Sequence, residues 1–272
     1  MIYASPVSAE YASGRYYDQV GADYYLSAEK LESDYADVRF ERELRFFRKH
    51  CLQGAVLDVG CSSGGFLYQL NRRFPGAYET VGTDASGPAL EYAASRGIRV
   101  IRGDFLKEDF GARQFDAVIF WAVLEHLLEP KPFVERAWSL LKPRGLCFIL
   151  VPNLQSLAVR ILGLRYRYFY PQHLNYFTRP TLGKLVGDRF SIIEFRSMHF
   201  NPLVIWQDWR RGEVDVSNRE RGELLKRTTA YKQNRLLKPL KAVYGLTEKA
   251  LGAMDLADNL AVVLRRAEPT NP

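Results

Sequence analysis

The sequence predicts an α/β protein built on a mostly parallel sheet with helices on both faces. Two observations support this fold class. A short apolar strand runs into a turn of small residues and then into a helix, and similar strand-like runs follow at the spacing of β-α-β units. Several of these runs end in polar or small residues, which parallel strands bring to one edge of the sheet.

The first strand and its turn indicate a nucleotide-like ligand. Residues 55–64 read Ala-Val-Leu-Asp-Val-Gly-Cys-Ser-Ser-Gly, and the stretch from Phe66 to Phe74 has the pattern of a helix. A β-branched run is typical of a buried parallel strand, and glycine just past its carboxyl end lets the backbone approach a ligand closely. We therefore expect Asp58, Gly60 and Gly64 to shape a ligand-binding turn.

The next strands extend this predicted site. The second strand, Thr80 to Asp84, ends in an acid 20 positions after Gly64, where a carboxylate can accept hydrogen bonds from both hydroxyls of a ribose. After the third strand, Arg99 to Arg102, Asp104 offers a carboxylate for an exocyclic amine and Phe105 a ring to pack on adenine. An ordinary loop-capping role is the alternative for either acid. The fourth and fifth strands are predicted at Phe115 to Trp121 and Leu146 to Val151.

With these features the chain resembles the class I S-adenosylmethionine-dependent methyltransferases over roughly residues 40–200 and 258–266. It is most similar to bacterial small-molecule enzymes, including the O-methyltransferases of ubiquinone biosynthesis. Their signature after the fourth strand looks like Val123 to Glu129 here, and a later His-x-x-x-Phe segment looks like His173 to Phe177. The resemblance implies a Rossmann-like sheet of seven strands and the cofactor S-adenosyl-L-methionine, with S-adenosyl-L-homocysteine as product.

The resemblance also implies which residues bind the cofactor. Asp58 and Gly60 are expected near the methionine amine, and Trp121 matches a position that touches the cofactor in similar enzymes. One residue departs from the family pattern, because the turn usually reads Gly-x-Gly-x-Gly and Ser62 holds the middle position. We expect serine to shift local contacts without abolishing binding. The predicted cofactor-binding set is Asp58, Gly60, Cys61, Gly64, Asp84, Ala85, Asp104, Phe105 and Trp121.

Residues 1–53 are predicted to form a lid, as the corresponding region does in the resembled family. This segment is rich in tyrosine and ends in a predicted helix, Val38 to His50. Tyr17 and Arg39 could contact the amino-acid end of the cofactor, the alternatives being core packing for Tyr17 and a solvated charge for Arg39. A closed lid would exclude water and help to align the methyl donor.

The segment after the fifth strand is a candidate substrate wall. Residues 165–177 are rich in aromatic side chains and show neither a strand nor a helix period, and a helix is predicted from Arg179 to Val186. An irregular aromatic loop over the carboxyl ends of the strands suits a substrate pocket, although such a loop can also serve packing alone.

A helical insertion, residues 201–257, separates a sixth strand (Ser191 to Arg196) from the last (Asn259 to Leu264), so the catalytic domain is predicted to comprise residues 54–200 and 258–267. From Arg219 to Lys249 there are nine basic residues and three glutamates, a net +6 out of +7 for the chain. Residues 219–249 could dock on the domain, contact a membrane or lipid-like substrate, or bind nucleic acid, and nucleic acid is not the expected partner. A helical projection places Leu236, Leu237, Leu240, Val243 and Tyr244 opposite Arg235, Lys238 and Lys241, with Pro239 kinking the helix or starting a new one.

The chemistry of methyl transfer singles out two histidines. Transfer from a sulfonium is an in-line displacement, so the protein must align the nucleophile and, for a hydroxyl, remove its proton. His126 follows the fourth strand, where the methyl should lie, and His173 lies in the aromatic loop. Imidazole titrates near working pH, so both are predicted catalytic residues. Alternatively, His126 starts a helix and bonds its backbone or Glu125.

Composition agrees with a cytoplasmic enzyme. A chain of 272 residues with 47% hydrophobic residues can bury a sizeable core. No apolar run reaches the ~20 residues of a membrane span, and the first 14 residues lack a basic segment followed by an apolar run. Cys51, Cys61 and Cys147 have neither metal-ligand spacing nor a disulfide framework, and no residue indicates a metal. Cys61 is expected to fill the cofactor turn, with a reactive thiol as the alternative.

Two other enzyme classes fit less well. A nicotinamide-dependent dehydrogenase would show Gly-x-Gly-x-x-Gly, which residues 60–65 do not match. A nucleic-acid methyltransferase would have an Asn-Pro-Pro-Tyr type motif after the fourth strand or a Pro-Cys pair, and the sequence has neither. The sequence therefore predicts a methyltransferase acting on a small molecule, at a hydroxyl oxygen. A lipid-linked or nucleic-acid substrate and a non-catalytic cofactor-binding protein remain alternatives.

Overall fold

Seven strands form one sheet in the computed structural model, which describes residues 2–3, 14–169, 171–211, 217–234 and 238–267. The strands are β1 Gly54–Val59, β2 Tyr78–Asp84, β3 Val100–Arg102, β4 Phe115–Trp121, β5 Leu141–Pro152, β6 Phe190–Met198 and β7 Asn259–Arg266. The strand order is β3-β2-β1-β4-β5-β7-β6. Strand β7 runs antiparallel to both its neighbours, and the other strands are parallel to one another, which confirms the predicted Rossmann-like fold.

Helices cover both faces of the sheet. The helices are α1 Gly14–Val20, α2 Ala28–Asp34, α3 Glu41–Arg48, α4 Gly65–Arg73, α5 Gly87–Ser95, α6 Pro130–Leu140, α7 Leu157–Leu162, α8 Arg179–Val186, α9 Pro202–Arg211, α10 Asn218–Gln233 and α11 Lys238–Ala253. Helices α3, α4 and α5 pack on one face, and α6 and α8 pack on the other. None of the described helices is both long and apolar enough to cross a bilayer.

The two cores explain the continuous apolar runs of the sequence. Along β4, Val118 and Phe120 belong to the core under α6 and α8, whereas Ala117 and Ile119 belong to the core under α3, α4 and α5. Successive side chains of a strand point to opposite faces, so a strand buried on both faces is apolar at every position.

Two predicted elements differ from the structure by more than two residues at one end. Strand β5 begins at Leu141, five residues earlier than Leu146, because Leu141 already pairs with Phe115 of β4. A register shift follows, and the pairing resumes between Leu146 and Ala117. The helix expected from Val38 to His50 is only Glu41–Arg48, since Phe40 before it has a left-handed backbone with φ of 59°.

The insertion between β6 and β7 consists of α9, α10 and α11. Helix α10 packs on α2, and α11 packs on β6. Most residues of the predicted helical projection lie outside the described part of the chain. These are residues 235–237 and the side chains of 238–241. Pro239 lies in the first turn of α11, where proline is tolerated. Tyr244 donates a hydrogen bond to the carbonyl of Phe200, but Val243 is 62% exposed, so the docking alternative applies to Tyr244 and not to Val243.

Candidate active site

A large cavity opens at the edge of the sheet where β1, β2 and β4 end. Its volume is about 870 Å³, and both predicted histidines, His126 and His173, line it. Gly64 is the one predicted cofactor residue outside this lining. The predicted cofactor residues in the lining are Asp58, Gly60, Cys61, Asp84, Ala85, Asp104, Phe105 and Trp121.

The turn after β1 has the backbone that small residues allow. Gly60 has φ of 76°, and a Cβ there would lie 2.4 Å from Cγ2 of Val123, so the position requires glycine. Ser62 also has a left-handed backbone, with φ of 52°, at the position where the family pattern has glycine.

Gly64 has a packing role in the structure. Its φ is 80°, and a Cβ there would lie 3.0 Å from Cβ of Ala93 on α5. The absence of a side chain therefore lets the start of α4 approach α5. Its expected approach to the cofactor stays a prediction.

Two carboxyl groups form the floor of the cavity. Oδ1 of Asp84 accepts a hydrogen bond from the Ser86 amide at 2.8 Å, and Oδ2 accepts one from the Ser62 amide at 2.7 Å. Burial raises the pKa of Asp84, and these hydrogen bonds oppose the rise. Asp58 is buried, and burial followed by the charge of Asp84 raises its pKa. Each carboxylate oxygen has two lone pairs, so Asp84 can still accept from a ligand.

The loop after β3 provides an acid and an aromatic slot. Asp104 accepts a hydrogen bond from the Leu106 amide at 3.0 Å and lies 3.3 Å from Lys107, so it also caps its own loop. Phe105 stacks on Phe133 with ring centroids 5.5 Å apart, and both rings line the cavity. Flat apolar rings are suitable partners for an adenine base.

His126 and His173 lie next to each other in the cavity lining. Their ring centroids are 4.7 Å apart. Nδ1 of His126 donates to the carbonyl of Gln172 at 3.0 Å, and Nδ1 of His173 donates to the carbonyl of Tyr168 at 2.9 Å. Burial lowers the pKa of His126 to about 4. The pKa of His173 is also lowered, by burial first and then by the charge of His126. Both rings are therefore neutral at pH 7, with the lone pair on Nε2.

Glu125 is a site residue that sequence reasoning missed. It is buried, and burial raises its pKa to about 8. Glu125, His126 and His173 each offer a ligand atom within 4.8 Å of the others, so these side chains could hold a metal ion. The expected absence of a metal thus stays a prediction. Adjacent Glu125 and His126 are visible in the sequence, but no spacing rule links them to His173.

The N-terminal helices roof the cavity. Tyr17 and Arg39, the two residues expected to face the cofactor, both line it, as do Tyr24 and Tyr25 of a π-helix at Gly21–Tyr25. Arg39 lies 3.3 Å from Asp34. Arg221 of α10, in the insertion, also lines the cavity. The basic composition of the insertion did not predict that it reaches the cavity.

The aromatic segment 165–177 serves both the cavity and the core. Tyr168 and His173 line the cavity, whereas Tyr166 and Phe177 are buried in packed clusters. The packing interpretation therefore holds for part of the segment, and the substrate wall stays a prediction for the residues that line the cavity. Tyr170 lies outside the described residues.

The cavity has the polar atoms that a polar ligand needs. Buried polar atoms are almost always hydrogen-bonded in native proteins. Six buried side-chain atoms of lining residues have no hydrogen-bond partner among the residues that the structure describes. They belong to Tyr17, Asp58, Ser62, Ser63, Trp121 and Glu125. The residues present thus fit a cofactor with a charged amino-acid end, a ribose and a base.

Comparison with known proteins assigns the chain to a family. A family model described as a methyltransferase domain matches residues 29–189. The chain is 30% identical to the ubiquinone biosynthesis O-methyltransferase of Mesorhizobium japonicum, over 68% of this chain and 78% of that protein. It is also 30% identical to the enzyme of that name from Dinoroseobacter shibae, over 60% of this chain and 69% of that protein.

A solved structure shows the same fold. The N-methyltransferase NodS from Bradyrhizobium japonicum WM9, in complex with S-adenosyl-L-homocysteine, superposes with a TM-score of 0.53 at 14% identity, over 92% of this chain and 98% of that one. The fold, the site and the family match lead to one conclusion. The chain belongs to the S-adenosylmethionine-dependent methyltransferase family.

Proposed function

We propose that this methyltransferase transfers the methyl group to a hydroxyl oxygen of an aromatic small molecule. The observation that carries the proposal is the His126–His173 pair, which shares one aromatic-walled cavity with the acids of the cofactor site. The relatives named as O-methyltransferases support a hydroxyl acceptor. A phenol would fit among the tyrosine rings of the lid and of the aromatic segment.

Each end of the cofactor has candidate partners. Asp58, with its buried Oδ1, would face the ammonium group, and Asp84 would accept from the ribose hydroxyls. Asp104 and Phe105 would meet the adenine. When bound, S-adenosylmethionine supplies an electrophilic methyl on a sulfonium. The lid residues Tyr17 and Arg39 would close over the amino-acid end and exclude water.

His126 is the proposed base. Burial leaves Nε2 of His126 unprotonated at pH 7 but also makes it a weak base, so this atom would take the proton of the acceptor hydroxyl only as the bond between oxygen and methyl forms. The Gln172 carbonyl, which accepts from Nδ1, fixes the ring and stabilises the imidazolium that forms. His173 would orient the acceptor oxygen from the neighbouring position.

Turnover of His126 variants tests this assignment. His126→Ala should lower the rate of S-adenosylhomocysteine formation from catechols by about 10²-fold or more while changing cofactor affinity little. His50→Ala is a matched control, because His50 bonds Glu194 outside the cavity. Unchanged turnover in His126→Ala would show that His126 is not the base. A loss of folding stability that accounts for the whole loss of turnover would show the same.

We also propose that the insertion contacts a lipid surface, which would suit a lipid-linked acceptor. On α9, Leu203, Trp206 and Trp209 are 50%, 51% and 60% exposed. The guanidinium of Arg210 lies 4.8 Å from the centre of the Trp206 ring. Tryptophan and arginine are suited to the interface of an anionic membrane, where the ring meets the acyl chains and the charge meets the headgroups. The excess positive charge of residues 219–249 would also attract the headgroups of an anionic membrane.

Vesicle flotation tests the lipid contact. The protein should float with vesicles containing phosphatidylglycerol, and Trp206→Ser with Trp209→Ser should abolish this. Trp138→Phe serves as a control, because Trp138 packs against the core. Equal flotation of the double variant and the wild type would refute the contact.

A cytoplasmic location is proposed from the cysteines. Cys51, Cys61 and Cys147 are buried free thiols, as is usual in a reducing compartment. Burial raises the pKa of the Cys61 thiol, which supports packing in the turn over a reactive role.

A further inference from the structure

The turn that carries His126 is held by residues 172–175 of the aromatic segment. The Gln172 carbonyl accepts a hydrogen bond from Nδ1 of His126 at 3.0 Å. The Leu174 amide donates to the carbonyl of Glu125, the residue before His126, at 2.7 Å. The orientation of the His126 ring therefore depends on where residues 172–175 lie.

A second side chain strengthens this attachment. Nδ2 of Asn175 donates to two carbonyls of the same turn, those of Leu124 and Leu127. Asn175 is itself buried. The turn around His126 and residues 172–175 thus form one hydrogen-bonded unit, in which Gln172 is the residue that bonds the imidazole ring.

The side chain of Gln172 is fixed by the N-terminal segment, residues 1–53. Its Nε2 donates a hydrogen bond to the hydroxyl oxygen of Tyr16, a buried residue of α1. The Tyr16 ring meets the Tyr17 ring edge to face, with the centroids 5.4 Å apart. Tyr17 meets the His126 ring in the same way at 6.3 Å. The N-terminal segment therefore contacts His126 directly through Tyr17, and it reaches the Nδ1 hydrogen bond through Tyr16 and Gln172.

The backbone of the N-terminal segment adds another contact with the same region. Residues 2–3 pair antiparallel with residues 175–176, so that Ile2 lies opposite Tyr176 and Tyr3 lies opposite Asn175. Residues 172–176 thus lie between the N-terminal segment and the turn of His126. A displacement of the N-terminal segment would therefore change the hydrogen bond that orients the ring.

The orientation of His126 matters because only one of its ring nitrogens can face the acceptor as a base. The bond from Nδ1–H to a carbonyl selects the tautomer with the lone pair on Nε2. In the other tautomer Nε2 carries the proton and cannot take one from a hydroxyl. Misplacement by about 1 Å can cost a catalytic step about 10²-fold.

We infer that Gln172 is a positioning residue for His126, and that Tyr16 of the N-terminal segment secures it. The Gln172 carbonyl orients the base, and the Gln172 side chain ties that carbonyl to α1. This inference rests on the proposed role of His126 as the base and adds the residues that set its tautomer. The competing explanation is that the bond between Tyr16 and Gln172 contributes to folding stability alone.

Nitrogen-15 NMR of the imidazole rings at pH 7 tests the inference without an acceptor. The chain has four histidines, and the His126 signals are those that disappear in His126→Ala. The wild type should show Nδ1 of His126 protonated and Nε2 unprotonated, with widely separated signals. Tyr16→Phe removes the oxygen that accepts from Gln172, so the two signals should move toward each other as the second tautomer becomes populated. Gln172→Ala should have the same effect, because it keeps the carbonyl but loses the bond to Tyr16.

Turnover provides the second measurement on the same variants. Tyr16→Phe should lower kcat for S-adenosylhomocysteine formation from catechols by about tenfold, because a misoriented base lowers the rate of transfer. The KM for the catechol and the affinity for S-adenosylhomocysteine should change by about twofold or less, since Tyr16 is not expected to contact either ligand.

Tyr78→Phe is the matched control. It also removes a tyrosine hydroxyl bonded to the backbone, since Tyr78 donates to the Cys51 carbonyl at 2.7 Å. Tyr78 begins β2, at the end of the sheet away from the cavity. Tyr78→Phe should lose stability in urea, as Tyr16→Phe does, but keep the His126 tautomer and kcat. An unchanged tautomer in both Tyr16→Phe and Gln172→Ala, or an equal change in Tyr78→Phe, would overturn the inference.

The outcome for the proposed function is read separately. If the tautomer changes in Tyr16→Phe but turnover does not, His126 is not the base and the positioning of its ring by Gln172 stands. If His126→Ala loses turnover while the tautomer is unchanged in Tyr16→Phe and Gln172→Ala, the base assignment stands and the positioning inference fails.

Discussion

Ser62 adopts a left-handed backbone in the middle of the cofactor turn, with φ of 52°. This conformation costs a residue with a Cβ about 1 kcal/mol relative to glycine. The Ser62 hydroxyl is buried and has no hydrogen-bond partner among the described residues, while its amide donates to Asp84. Serine at position 62, where the family pattern has glycine, thus preserves the geometry of the turn at a local cost in stability.

Ser62→Gly should therefore raise the free energy of unfolding by about 0.5 to 1 kcal/mol in the absence of cofactor. The neighbouring Ser63→Gly is the control, since Ser63 is buried but its φ is not positive, and glycine there should lower stability. Urea unfolding of both variants measures the difference. A loss of stability in Ser62→Gly as large as in Ser63→Gly would contradict this account of the turn.

Asp84 is the carboxylate that we expect to hold the ribose. Asp84→Ala should weaken the binding of S-adenosylhomocysteine by about 2 kcal/mol, or roughly 30-fold, because hydrogen bonds to a charged group are lost. Asp109→Ala is the control, since Asp109 is exposed and caps its own loop at Gly111. Calorimetric titration decides, and an unchanged affinity in Asp84→Ala would rule out Asp84 as a ribose ligand.

Among the elements, α3 is tied to β6 through Glu194. The carboxylate of Glu194 lies 2.6 Å from Nζ of Lys49, 2.6 Å from Nε2 of His50 and 2.8 Å from Nη2 of Arg196. Burial alone would raise the pKa of Glu194, but hydrogen bonds from Lys49 and His50 lower it to about 2. The ionised carboxylate is thus favoured in the folded state.

This contact should make a pH-dependent contribution to stability. The pKa of Glu194 lies below the ordinary value of about 4.3 for an unfolded chain, so the stabilisation is present above pH 4.3 and is lost as the pH falls toward 2. Glu194→Gln should be about 1 kcal/mol less stable than the wild type at pH 5, and the difference should shrink at pH 3. Chemical unfolding at the two pH values measures this, and a difference that stays constant would disprove the assignment. Glu91→Gln, in an exposed pair with Arg102, should change little.

Local patterns in the sequence were enough to predict most elements but not every contact. The bounds of β4 and α8 agree with the expectation, because both faces of β4 are buried and a Thr178 cap and Pro180 mark the start of α8. The start of β5 was missed, since proline and glycine within a strand suggest a loop unless the register shift is known. In the site, the sheet edge was predictable from parallel topology, whereas Arg221 reaches the cavity only through the packing of α10 on α2.

On the scale of the whole molecule, the N-terminal segment and the insertion meet over one cavity. Helix α10 of the insertion packs on α2 and on the π-helix of the N-terminal segment. A ligand that contacts both the sheet edge and the helices over the cavity should stabilise the N-terminal segment and α10. Hydrogen exchange should therefore slow in residues 21–34 and 217–229 when S-adenosylhomocysteine binds, with little change in α8. Protection confined to the sheet edge would show that the roof is not coupled to the cofactor.

Calorimetric titration of the wild-type protein with S-adenosylmethionine and S-adenosylhomocysteine, with NADH as a control, tests the central claim most directly. The cavity, its acids and its buried polar atoms predict micromolar binding of the first two compounds and none of NADH. Binding of NADH, or of none of the three, would contradict the assignment of this cavity as the methyl-donor site.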